Sequence, residues 1–294
     1  MSAVSVAPAT PEQIGAVWAL AGAEFLRGRD RTGSVLDRFP ALRAGAAEPV
    51  VATDDGEVVA AAVWRPFAYD DGDRTWRAAM AGLVVTRPGH RGRGLGSAVL
   101  GELRRRMAAD GAEVAVLWAG RHDVYARLGW QPADPGVRAV AQGDPRGRVP
   151  TAIRSSAPAA RVAEELLAIH RRQPGPRVQR GPEAYCALPP PADQVTAHVV
   201  PGAAYALVGS RGEQRYVLEF AGAAQHLPVL WEAVRAGAGP IVVNEQRGSA
   251  AERYLADEQG LCFEAQNLAL WLTLGPQVAG ASPPGWHIPW IDRI

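Results

Sequence analysis

Apolar positions along the first half of the chain change their period several times. Over residues 11–26, Ile14, Val17, Trp18, Leu20, Ala21 and Phe25 recur at helical spacing behind a Thr10-Pro11 start. The runs P-V-V-A-T and V-V-A-A-A-V-W flank Asp55-Gly56, which predicts a hairpin. A second turn signal, Asp71-Gly72, precedes the run A-A-M-A-G-L-V-V. After a glycine-rich break, residues 97–109 set Val99, Leu100, Leu103 and Met107 on one helical face. E-V-A-V-L-W-A then reads as a buried strand, and D-V-Y-A-R-L-G-W as a short helix closed by Gly129.

Beyond the Pro/Gly/Arg-rich link at 143–151, the order of elements partly repeats. A-R-V-A-E-E-L-L-A-I-H-R-R is an amphipathic helix, followed by three apolar runs with strand character, a helix around Leu230, the strand P-I-V-V-N-E and the helix S-A-A-E-R-Y-L-A-D. The strongly apolar L-A-L-W-L-T-L comes last. The repeat suggests a tandem duplication, with domains at 1–148 and 149–294, of α/β (α+β) class. Each is expected to be a mixed, mostly antiparallel sheet flanked by helices. Where the first half has its glycine-rich break, the second half has none, since R-Y-V-L-E-F-A-G runs on into the helix near Leu230.

Composition narrows the chemistry. A length of 294 residues suits two domains, and a hydrophobic fraction of 48% supports real cores. The net charge of +1 offers no general attraction to nucleic acid or to acidic membranes. No apolar run approaches the roughly 18 residues of a membrane span, and the N-terminus lacks a basic segment leading a long apolar one. A cytoplasmic protein is expected. All 31 basic residues are arginine, so a Schiff-base lysine and the lysine of a Walker loop are both excluded. The six histidines show no metal-ligand spacing, and no metal is expected. Cys186 and Cys262 lie far apart without a CxxC pattern, which suggests two ordinary core cysteines.

The segment V-V-T-R-P-G-H-R-G-R-G-L-G-S (84–97) carries the strongest chemical signal. Its glycines do not fit the dinucleotide-binding spacing, and no acidic residue closes the next strand. Three arginines follow at 104–106, but without interleaved aromatics or basic excess they make a thin nucleic-acid patch. A phosphate cradle fits better. Small residues leave several backbone N–H groups free to converge on one anion, the following helix adds the positive end of its dipole, and Arg91 and Arg93 stand at the rim. A plain strand-to-helix turn is the remaining reading.

R-G-R-G-L-G resembles the Arg/Gln-x-x-Gly-x-Gly/Ala loop of the GCN5-related N-acetyltransferases (GNAT), and Y-A-R-L-G-W resembles that family's Y-x-R/K-x-G-F/Y helix. P-G-H-R-G-R-G-L with the later L-W-A and Tyr125 is most similar to the Eis-type acetyltransferases, which carry an active GNAT domain, a degenerate second one and a sterol-carrier-like third. The likeness covers about residues 10–135 closely and 155–275 in architecture alone; a third domain has no counterpart in the sequence.

The resemblance implies two tandem GNAT-like domains and acetyl-CoA as acyl donor. It implies that Val84, Val85 and Thr86 pair with the pantetheine arm, with the Val85 N–H polarising the thioester carbonyl. Arg91, Gly92, Arg93, Gly94, Leu95, Gly96 and Ser97 would hold the pyrophosphate. Tyr125 would protonate the departing thiolate, a nearly balanced transfer because phenol and alkyl thiol titrate close together; otherwise it is a packing tyrosine with its hydroxyl at the surface. For the general base, Glu24, the pair His122/Asp123, His90 and the terminal carboxylate of Ile294 are candidates. The acceptor would be an amine of a small molecule or peptide, acetylated directly in a ternary complex without nucleic acid or membrane. The second domain would wall the acceptor pocket or form a homo-oligomer interface. Two alternatives stand beside this reading: a mycothiol-synthase-like tandem acyltransferase, and a non-catalytic acyl-CoA-binding sensor or partner protein.

Overall fold

The computed structural model describes residues 4–27, 33–39, 42, 47–173, 175–186, 188–189, 192–275 and 285–293. The chain forms two compact units, Met1–Ala133 with Leu268–Gly285, and Asp134–Asn267 with Trp286–Arg293. The link at 143–151 lies inside the second unit, where Gly143 N–H donates to the Gly239 carbonyl and Asp144 N–H to that of Arg235. The boundary expected at 148/149 therefore lies beyond the division between the units.

The first unit runs β1 (Ser5–Pro8), α1 (Ile14–Phe25), α2 (Val35–Arg38), β2 (Glu48–Asp54), β3 (Glu57–Asp70), β4 (Thr75–Thr86), α3 (Leu95–Ala109), β5 (Val114–Trp118), α4 (His122–Ala126) and β6 (Gln131–Pro132). Its strands β1 to β5 pair in chain order, antiparallel except for the parallel pair β4/β5. Period-2 alternation gives the sheet two buried faces. Val50, Ala52, Ala60 and Ala62 face Val99, Leu103 and Met107 of α3, whereas Val51, Ala61 and Val63 face Val17 and Ala21 of α1. The predicted turns are present, with Asp55 and Gly56 both in left-handed backbone (φ 50° and 81°). Gly129, at φ 88°, closes α4 as its position predicts.

The second unit runs β7 (Gly136–Gln142), β8 (Arg154–Ser156), α5 (Ala160–Arg172), β9 (Arg177–Gln179), β10 (Gln194–Val200), β11 (Ala204–Arg211), β12 (Gln214–Gly222), α6 (Leu227–Arg235), β13 (Pro240–Gln246), α7 (Ala250–Asp257) and β14 (Glu264–Ala265). Its sheet order is β14-β7-β13-β12-β11-β10-β8, again with one parallel pair, β12/β13, after an antiparallel meander. The repeat seen in the element order is thus a repeat of topology. The last apolar run, β15 (Ala269–Thr273), pairs with β5 in the first unit's sheet, while β7 pairs with β13 in the second's. Each sheet is completed by a strand that sequence order alone assigns to the other. Cys186 and Cys262 are exposed and free, not core residues as expected.

Candidate active site

The site starts where β4 leaves β5. The parallel pairing covers only Ala78–Met80 against Val114–Val116. Next the β3/β4 register shifts between Ala61 and Val63, and Leu83 takes a left-handed backbone at φ 51°. This bulge bends β4 away, so residues 84–86 keep β3 on one side and present an edge that no strand among the described residues covers.

The register decides which amides lie on that edge. Arg87 N–H donates to the Val59 carbonyl at 2.8 Å, which makes Arg87/Val59 a hydrogen-bonded pair. Bonded and non-bonded pairs alternate along an antiparallel ladder. Thr86/Ala60 is therefore non-bonded, and Val85/Ala61 is bonded. The Val85 N–H is turned toward β3, which corrects the expectation that it polarises a thioester carbonyl. The amides facing the open edge belong to Val84 and Thr86. The side chains alternate as well: Val84 packs toward the α3 face and Val85 toward α1.

The loop that follows converts the strand into α3. Gly92 and Gly94 sit at φ 79° and 77°, conformations costly for any residue with a Cβ, although the space around both is open. Gly94 is the N-cap of α3, and the first helical bond runs from Ala98 N–H to the Gly94 carbonyl. Among the described residues, the N–H groups of Gly92, Arg93, Gly94, Leu95, Gly96 and Ser97 have no acceptor. A run of unspent amides at a helix start is a seat for an anion. The two arginines expected at its rim are already paired. Arg91 reaches the Glu24 carboxylate at 2.8 Å and the Thr86 carbonyl at 3.1 Å. Arg93 reaches Asp54 at 2.8 Å, and His90 Nε2 lies 3.6 Å from the same carboxylate oxygen.

Tyr125 stands on α4, half-buried against the core cluster that includes Leu95, Val99, Leu117 and Trp130, against which Val84 also packs. Burial raises its hydroxyl above the ordinary phenol range. Among the base candidates, Glu24 is brought to the loop by Arg91, and Asp123 pairs with Arg121 at the surface. His122 Nε2 is buried without a hydrogen-bond partner. Ile294 lies outside the described residues. Asp54 escaped the sequence reading because nothing local distinguishes it from the other acidic turn residues; only the fold brings it beneath the loop.

The second unit's strands part in the same way beyond Val217/Val243, but buried charged side chains line that divergence. Arg180 grips Glu219 of β12 with both guanidinium nitrogens at 2.8 Å and Asp292 at 2.7 Å, all three buried. Arg293 reaches Asn244 of β13 at 3.1 Å. Between β12 and α6 stands only Ala223 and a short turn, with no glycine loop. Among the described residues no His, Cys, Asp or Glu cluster is placed to hold a metal, and no helix is long and apolar enough to cross a membrane.

Residues 6–133 match the family model described as an acetyltransferase (GNAT) domain. No curated protein matches the chain. Among solved structures, a GCN5-related N-acetyltransferase from Anabaena variabilis is similar at TM-score 0.71 and 12% identity, over 93% of this chain and 73% of that one. Eis1 from Mycobacterium abscessus is similar at 0.62 and 16%, over 92% and 74%. A tandem GNAT protein from the clavulanic acid biosynthesis pathway follows at 0.56 and 15%, over 93% and 99%. At these identities the likeness is one of fold.

Proposed function

From a chain whose residues 6–133 match the GNAT acetyltransferase family model, we propose a cytoplasmic acetyl-CoA-dependent N-acetyltransferase acting on an amine of a small molecule or peptide. The observation that carries the reading is the continuity of the open β4 edge with the unspent amides of Gly92–Ser97. A strand-like pantetheine arm and a pyrophosphate need those two features in that order.

Bound acetyl-CoA supplies the activated acetyl group. The open-edge amides of Val84 and Thr86 pair with the pantetheine arm, and the Val84 N–H, nearer the bulge, polarises the thioester carbonyl. The amides from Gly92 to Ser97 hold the pyrophosphate, with Arg91 and Arg93 beside them. As the acceptor nitrogen bonds to the carbonyl carbon and the carbon–sulfur bond breaks, Tyr125 gives its proton to the thiolate. Glu24, brought to the loop by Arg91, takes the amine's proton, directly or through water. Transfer is direct, in a ternary complex. The second unit, with the Arg180–Glu219–Asp292 group where its strands part and no glycine loop ahead of α6, binds no acyl-CoA.

Acetyl-CoA should raise the melting temperature, because it binds the folded state alone. Gly94→Asp should abolish that shift by setting a carboxylate against the pyrophosphate. Tyr125→Phe should keep the shift while kcat falls about 100-fold. Unchanged turnover in Tyr125→Phe removes the tyrosine from the mechanism. Acetyl-CoA binding without turnover on any amine, followed by free-thiol release, supports the sensor reading, and no shift with any acyl-CoA sinks the proposal.

A further inference from the structure

The anion loop has almost no backbone support of its own and hangs instead on the end of the β2–β3 hairpin. Arg87 N–H donates to the Val59 carbonyl, the residue passed over where the β2/β3 register shifts. The Arg87 guanidinium reaches the Val58 carbonyl at 3.2 Å and Glu57 at 2.7 Å. Farther along, Arg93 and His90 converge on Asp54, the last residue of β2. Among the described residues, the loop's own backbone bonds ahead of α3 are His90 N–H to the Arg87 carbonyl at 2.9 Å and Arg91 N–H to that of Pro88 at 3.3 Å, and from Gly92 to Gly94 there is none. Two glycines in left-handed backbone add freedom that something else must remove.

The three ion pairs around the loop are not equal. Glu24 and Glu57 are 44% and 68% exposed, so their pairs with Arg91 and Arg87 are screened by water. Asp54 is 12% exposed, bonds Arg93 at 2.8 Å and has His90 Nε2 3.6 Å away. Its neighbours Asp55 and Gly56 form the tight turn that anchors it in the sheet.

We propose that Asp54 is a positioning residue for acyl-CoA: by holding Arg93 it sets the amides of Gly92–Ser97 on one anion before the ligand arrives. The inference rests on the reading of this loop as the acyl-CoA seat. Ordering the loop during folding, instead of during binding, is what lowers the cost of association. A second consequence follows from charge. Arg93 is already neutralised by Asp54, so the phosphate depends on backbone amides, and the KM for acetyl-CoA depends only weakly on salt.

The test compares wild type, Asp54→Asn and Asp54→Glu in the full chain. Asp54→Asn should raise the KM for acetyl-CoA about tenfold with kcat within about twofold, and Asp54→Glu should restore part of it. Freed Arg93 should make that KM more salt-dependent. In ligand-free protein, tryptic cleavage after Arg91, whose own partners are untouched, should run several times faster in Asp54→Asn. Unchanged cleavage with unchanged KM, or a lower KM in Asp54→Asn, overturns the inference. Faster cleavage in Asp54→Asn together with no acyl-CoA effect on wild type overturns the functional reading instead, leaving Asp54 as the residue that positions the loop.

Discussion

The bond from Arg87 N–H to the Val59 carbonyl, 2.8 Å long, sets the direction of every amide at the end of β4. It places the Val85 N–H in the ladder with β3 and leaves those of Val84 and Thr86 on the open edge. Neighbouring positions therefore differ in what they can lose.

Proline removes an N–H without adding a charge, and it is tolerated in a strand where that N–H is unpaired. Thr86→Pro should fold with a melting temperature near wild type and raise the KM for acetyl-CoA about fivefold to tenfold, the worth of one hydrogen bond. Val85→Pro should destabilise the protein by about 3 kcal/mol, because it breaks a ladder bond. Equal destabilisation by the two variants, read by thermal melts, would show that the alternation is misassigned.

Glu24 has two roles to separate, a base for the acceptor amine and a clamp on Arg91. Glu24→Gln keeps a hydrogen-bond acceptor for Arg91 but cannot take a proton. If Glu24 is the base, kcat should fall about 100-fold, and the acid limb of the pH–rate profile should disappear. A rise in the KM for acetyl-CoA with kcat unchanged assigns Glu24 to the loop alone. Steady-state kinetics across pH distinguish the two.

Local patterns carried much of this structure. The helical spacing from Ile14 to Phe25, the Asp55-Gly56 and Asp71-Gly72 turns and the Gly129 stop are all signals within a few residues, and each is matched by an element. The glycine loop was legible for the same reason, since positive φ at Gly92 and Gly94 is a local demand. What the sequence could not show is non-local. Apolar alternation in A-L-W-L-T specifies a buried strand but not its partner, so the pairing of β15 with β5 has no signature. The Asp54–Arg93 contact spans 39 residues and joins two ordinary surface residue types. Which of Val84 and Val85 turns its amide to the open edge depends on the bulge at Leu83, which sets the phase of the ladder and leaves no mark in a valine run.

The divergence in the second unit holds a buried carboxylate–guanidinium–carboxylate group. Burial alone would raise the Glu219 carboxyl, but Arg180 and then His170 outweigh it and hold it below the usual range. Arg180→Met should cost about 3–5 kcal/mol, because it leaves Glu219 and Asp292 buried without their cation. The double variant Arg180→Met/Glu219→Gln should recover part of that loss. Urea unfolding of the three proteins checks the order, and a single variant as stable as wild type would mean that the charges are solvated.

Acid should weaken the second unit through its histidines. Burial, then repulsion from Arg215, lowers the His198 pKa to about 4, and burial with Arg293 lowers that of His287 to about 3. Their unfolded value is 6.5, so below it the unfolded chain takes up protons that the native state refuses. His198 alone removes about 3 kcal/mol by pH 4. Glu245 acts in the opposite sense. Burial raises it from 4.5 to about 7, so the native state is protonated first as pH falls and gains up to about 3 kcal/mol by pH 4.5. Two histidines against one carboxyl leave a net loss between pH 6 and 4. Glu245→Gln should be more stable than wild type at pH 8 and should fall more steeply on acidification, because its compensating proton uptake is gone. Thermal melts at pH 8, 6 and 4.5 test both slopes, and parallel curves for the two proteins would refute the role of Glu245.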